Sequence, residues 1–151
     1  MKSAKPSYIL SVLSNKCPRC RQGKIFKSNN AYKFKKSQYI RMNQKCPVCG
    51  QPTEIEVGFY YGTGYVSYAL SIAICVASFI AWWVLLGISI NDNSLFWWLG
   101  VNSLLLIVLQ PVLMRLSRSL WLSWFVKYDE DWKEHPVSGN ERIVDELMEK
   151  H

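Results

Sequence analysis

The chain has 151 residues and carries 18 Lys and Arg against 11 Asp and Glu, a formal net charge of +7. Its mean hydropathy of zero averages a polar N-terminal third with an apolar middle, an unevenness that excludes a single soluble domain. With only two histidines, His135 and His151, and no zinc-hydrolase motif, nucleophile elbow or phosphate loop, an enzyme is not expected.

Four parts follow in chain order. Residues 1–14 form a short lead in which Tyr8, Ile9, Leu10, Val12 and Leu13 make a brief apolar patch. The patch is too short and broken for a secretory signal, and no small-residue cleavage site follows it. A short amphipathic helix beginning near Ser7 is expected instead.

Residues 15–58 hold two similar turns, Cys17-Pro18-Arg19-Cys20 and Cys46-Pro47-Val48-Cys49-Gly50. Four thiolates from two Cys-x-x-Cys turns can enclose one tetrahedral ion. Zinc bound this way has no open position, so the site reads as structural rather than catalytic. Iron is the rival ion, because such turns also build rubredoxin-type centres, and a pair of redox dithiols is a third reading. Short strands are expected at 24–27, 39–44 and 53–57, the last from the alternation Thr53-Glu54-Ile55-Glu56-Val57. So small a unit has too little apolar side chain to fold on a core alone, which makes the metal structurally necessary. Its basic stretch, Lys24, Lys27, Lys33, Lys35, Lys36, Arg41 and Lys45, is interleaved with Phe26, Tyr32, Phe34 and Tyr39. That face suits anionic lipid headgroups and, alternatively, nucleic acid.

Residues 59–114 read as a transmembrane hairpin. The runs 65–90 and 95–114, of 26 and 20 residues, contain no charged side chain. A bilayer core of ~30 Å needs about 20 helical residues, so each run is long enough to span. Of the basic residues, 12 precede position 65 and six follow from Arg115 onward, while the connector Asn91-Asp92-Asn93-Ser94 has none. The positive-inside bias therefore places both termini in the cytoplasm, where reducing conditions favour metal binding over disulfides. Gly58, Gly62 and Gly64 suggest a flexible, aromatic-lined hinge at the membrane entry. Ala69, Ala73, Ala77 and Ala81 form a small-residue row, parallel to Ser67, Ser71 and Cys75, suited to packing against the second span or another protein. Asn102 and Gln110 are costly in lipid and are expected to face inward, with Pro111 marking a kink.

Residues 115–151 form a cytoplasmic tail. Arg115 and Arg118, three apart, are expected on one lipid-facing side near anionic headgroups. After the acidic run Asp129-Glu130-Asp131, the capping-box pattern Ser138-x-x-Glu141 predicts a short helix with Ile143, Val144, Leu147 and Met148 on one side.

The run Cys17-Pro-Arg-Cys-Arg-Gln-Gly-Lys-Ile-Phe26, then Cys46-Pro-Val-Cys-Gly50, Gly58-Phe-Tyr-Tyr-Gly62, two spans and Arg115-x-x-Arg118-x-x-Trp121 resembles a widespread bacterial family. Its members are short inner-membrane proteins catalogued as a domain of unknown function, and the resemblance covers roughly residues 15–128. It implies a cytoplasmic zinc-ribbon head and no established activity. Some members are encoded near terminal-oxidase assembly factors, which implies a respiratory accessory role.

The fold class expected is a membrane protein: a small cytoplasmic zinc ribbon, rubredoxin-like with short strands, joined to a two-helix transmembrane hairpin and a helical tail. The ligands expected are Cys17, Cys20, Cys46 and Cys49, holding zinc. The function expected is that of a non-enzymatic inner-membrane adaptor or assembly subunit of a larger membrane complex, with homo-oligomerisation also open. A membrane-anchored rubredoxin-like electron carrier is the alternative, and a membrane-tethered nucleic-acid binder a further one.

Overall fold

The two uncharged runs become the two long helices of the chain. The structure, a computed structural model, describes residues 6–34, 38–56, 58–87, 93–135 and 137. A short helix α1 (Tyr8–Leu13) comes first, and after the cysteine region a 3-10 turn (Phe59–Gly62) leads directly into α2 (Thr63–Leu86), with α3 (Ser94–Phe125) following. Both α2 and α3 are long and apolar enough to cross a membrane. The 32 residues of α3 extend about 48 Å at ~1.5 Å per residue, well beyond a ~30 Å hydrocarbon core. Its last turns therefore project past the apolar run, and the cysteine head is built on that projection.

The antiparallel helices are joined by a row of polar contacts. Ser67 donates to Ser117 at 2.8 Å, Ser78 donates to Asn102 Oδ1 at 3.0 Å, and Asn102 Nδ2 donates to Cys75 Sγ at 3.2 Å. Asn102 is buried, as its cost in lipid requires. The alanine row is another matter: Ala69, Ala73, Ala77 and Ala81 are all exposed and do not face α3. Ala69 follows Ser67 by two positions, ~200° around the helix, so only one of the two rows can meet α3. The row that carries hydroxyl and thiol groups takes it, because those groups need partners. Gln110 is exposed as well. It lies eight residues after Asn102, ~80° off the face that meets α2, so the inward position expected for it is not available.

Buried residues alternate along α3 at Pro111, Leu113, Arg115, Ser117 and Ser119. Steps of two residues turn ~200°, the signature of a helix covered on opposite sides. One cover is α2. The other is the head, whose Ile25 and Phe26 pack with Leu122 and Val126, flanked by Met42, Ile55 and Phe59. Arg115 is only 3% exposed and not lipid-facing: Nη2 donates to the Asn30 carbonyl at 2.8 Å, Nε donates to the Tyr39 carbonyl, and the guanidinium lies 4.9 Å from the Phe26 ring centroid. Arg118 is half-buried, reaches the Ile40 carbonyl at 3.3 Å and lies over Tyr60. Both side chains turn to the head, which offers them carbonyls.

The strands expected at 24–27, 39–44 and 53–57 do not form among the described residues. In their place are three isolated antiparallel bridges, Lys16↔Lys24, Phe26↔Met42 and Lys45↔Pro52. Lys16↔Lys24 and Lys45↔Pro52 flank the cysteine turns, and the chain bends into a turn directly after each bridge. Thr53, at the start of one expected strand, instead gives its hydroxyl to the Asn43 and Gln44 carbonyls.

The segment Phe59–Gly62 that leads into α2 is a packed joint. Phe59, Trp121 and Phe125 stack against one another with centroids 5.1 to 6.3 Å apart, and the Trp121 indole donates to the Phe59 carbonyl at 2.9 Å. A Cβ on Gly62 would lie 2.3 Å from the Trp121 ring. The glycine provides close approach here. The helix expected after Ser138, the end of the first span at 88–90 and Lys35 and Lys36 lie outside the described residues.

Candidate metal centre

The two cysteine turns fold by the same local rule. In each, the amide of the residue just past the turn donates back to the carbonyl of the turn's first cysteine: Arg21 N–H to Cys17 O at 2.8 Å, and Gly50 N–H to Cys46 O at 2.9 Å. The residue closing each turn is left-handed, Arg21 at φ 54° and Gly50 at φ 73°. Glycine takes that conformation freely. Arg21 is held there by its guanidinium, which donates to the Pro6 carbonyl and stacks 4.1 Å from the Tyr128 ring centroid.

These turns bring the sulfurs of Cys17, Cys20, Cys46 and Cys49 within 4.8 Å of one another. Cys17 and Cys49 are separated by 3.7 Å, Cys20 and Cys46 by 3.8 Å. Those separations are far longer than a disulfide bond of ~2.05 Å. They match the edge of about 3.8 Å that a tetrahedron with Zn–S bonds of ~2.3 Å requires. The four thiols can therefore hold a metal ion. Three of them are buried and Cys49 is partly so, which leaves little room for a substrate or water at the centre.

The thiols are coupled to one another by hydrogen bonds. Cys17 is pushed far above its ordinary value by hydrogen bonding to Cys20 and by burial, while the bond from Cys17 holds Cys20 far below its own. Cys46 is lowered to about 6, chiefly by Cys17. A divalent cation binds the thiolate forms, so its binding displaces thiol protons. The Gly23 amide supports Cys20 Sγ from 3.5 Å.

Several residues at the centre give no signal in the sequence. A Cβ on Gly23 would lie 2.3 Å from Cys46 Sγ, so only glycine lets the two turns close. Trp132, from the segment after α3, packs against the sulfur cluster. That segment is strapped down by Arg19, from inside the first turn, which donates to Asp129 Oδ2 at 3.3 Å and to the His135 carbonyl at 2.7 Å. The Asp129 amide returns a bond to Arg19 O at 3.1 Å. Loss of solvent pushes the Asp129 carboxyl up, but bonds from His135 and Arg19 outweigh it and hold the carboxyl below its ordinary value.

A protein-family model described as a protein of unknown function (DUF983) matches residues 36–125. The match takes in the second cysteine turn, the aromatic joint, both long helices and Arg115, and begins after the first cysteine turn. No curated protein and no solved structure matches the chain.

Proposed function

The chain belongs to that family of proteins of unknown function, DUF983, and from this premise we propose that it is a non-enzymatic membrane adaptor carrying a zinc-ribbon head. The observation that carries the reading is the closed group of four sulfurs within 4.8 Å, three of them buried. A centre with four thiolates and no open position supports a fold rather than a reaction. Zinc fits the sulfur separations and the reducing side of the membrane, and its binding supplies folding free energy of about 10–16 kcal/mol in small ribbons. In this reading α2 and α3 span the inner membrane with both termini cytoplasmic. The alanine row of α2, turned away from α3, is the surface on which a larger membrane complex packs.

Metal analysis of the purified full-length protein tests the first half. One zinc per chain with no visible absorbance is expected, and a red, reducible iron centre would instead make the protein an electron carrier. The second half is tested by gentle solubilisation. A stoichiometric membrane partner, lost when Ala73→Leu and Ala77→Leu are introduced, is expected. A wild-type protein that migrates with lipid alone sinks the adaptor reading.

A further inference from the structure

We propose that the head carries a binding site for the phosphodiester headgroup of an anionic bilayer lipid. It is formed by two adjoining cavities on the side of the head where the loop from Ser28 reaches along α3. The first, of about 590 Å³, is lined by Lys24, Lys27, Lys33 and Arg41 together with Ser28, Asn29 and Gln38. The second, of about 370 Å³, shares Lys24, Phe26, Ser28 and Asn29 with the first and adds Lys16, Arg115 and Leu13. No aspartate or glutamate lines either one. Six cations around one continuous concavity repel each other unless an anion occupies it. The hydroxyl and amide groups of Ser28, Asn29 and Gln38 supply the neutral hydrogen bonds that orient phosphate oxygens.

Position along α3 selects the source of that anion. The loop that forms the first cavity is pinned at Asn30 by Arg115 and reaches further, with the Tyr32 hydroxyl donating to the Val108 carbonyl at 3.0 Å. Val108 precedes Arg115 by seven residues, about 10 Å along the helix axis toward the apolar run. Tyr32 and Phe34 at the end of this loop are 45% and 60% exposed. If α3 spans, the Tyr32 ring lies in the acyl boundary and the cations nearer Arg115 lie at phosphate level, an order that matches a glycerophospholipid read from chain to headgroup. Leu13 and Phe26 on the cavity walls give the acyl-proximal part of the lipid an apolar surface. A free phosphoester would find the same charges but has no use for the exposed rings, and an oligonucleotide could stack on them only outside the acyl boundary.

The site rests on the spanning part of the functional reading and not on the zinc or adaptor parts. The test uses the full-length protein, first extracted from membranes with alkaline carbonate. Release into the supernatant would sink the spanning reading and this site with it, whereas retention leaves the site to be judged by lipid. Native mass spectrometry in zwitterionic detergent then compares added phosphatidylglycerol with phosphatidylcholine. Phosphatidylglycerol is expected to be retained at least 5-fold more strongly. Lys24→Gln, Lys27→Gln and Lys33→Gln together should abolish the preference, each alone should lose part of it, and metal content should not change. Lys127→Gln, on the exposed segment after α3, should leave the preference intact. Equal retention of the two lipids, or an undiminished preference in the triple variant, overturns the proposal. Displacement of the lipid by equimolar glycerol 3-phosphate or by a short oligonucleotide also overturns it, reassigning the cavity to a soluble phosphoester or to nucleic acid.

Discussion

Gly23 decides whether the two cysteine turns can meet. Any side chain there points at Cys46 Sγ, with a Cβ at 2.3 Å and Val48 closing the other side at 3.3 Å. The sulfur cannot retreat, since it sits among the sulfurs of its three cysteine partners. Gly23→Ala should therefore weaken zinc binding at least ~10-fold, more than 1.4 kcal/mol, measured by competition with a chromophoric chelator. An alanine variant holding zinc as tightly as the wild type would show that the turns have slack. The contrast with the cysteines explains what the sequence could reveal. Cys17, Cys20, Cys46 and Cys49 are legible because ligand chemistry is written in residue type and local spacing. Gly23 matters only through a sulfur 23 positions away, and Arg21 is left-handed only because Pro6 and Tyr128 hold its side chain. No local pattern records such contacts.

The segment from Val126 to His135 is an element without regular structure, and its docking over the sulfurs is electrostatic at one end and apolar at the other. Arg19 and His135 converge on the Asp129 carboxyl, while Trp132 covers the cluster. Because the Asp129 pKa is lowered on docking, ionised Asp129 stabilises the docked segment. That contribution is complete above the ordinary aspartate value of about 3.9 and is lost as pH falls through the lower folded value. Asp129→Asn should thus speed amide exchange across residues 126–135 several-fold at neutral pH. The gap between variant and wild type should hold down to about pH 5 and close only below about 4. A gap that first opens below about pH 4 would mean that the carboxyl acts in its protonated form. Helices α2 and α3 were plain in the sequence as two charge-free runs, since length and hydropathy alone specify them. Which face of α2 meets α3 was not, because the alanine and serine rows are equally periodic. Only the pairing of Ser67 with Ser117 and of Cys75 and Ser78 with Asn102 breaks the tie.

At the scale of the whole molecule, the head is held by two separable devices, the four-cysteine centre within it and Arg115 beneath it. The sulfurs bring the turns together, and Arg115 rises from α3 to bond the Asn30 and Tyr39 carbonyls and to support Phe26. A hydrogen bond from a charged donor contributes about 1.5–3 kcal/mol, less where water can replace the donor, as at the exposed Asn30 and half-buried Tyr39 carbonyls. Arg115→Ala should therefore weaken docking of the head on α3 by about 2–4 kcal/mol while leaving the metal in place. Arg115→Lys should recover only part of this, because an ammonium lacks the fork that serves two carbonyls at once. Chelation should act in the opposite sense, loosening the turns around 17–23 and 46–50 first, with the helix pair at Cys75 and Asn102 unchanged. Hydrogen exchange read together with metal content checks both. The arginine variant should expose residues 25–26 and 40–43 with zinc still bound, and the chelated wild type should expose the cysteine turns. If losing Arg115 also releases the metal, the two devices are one, and the head has no fold apart from the helix that carries it.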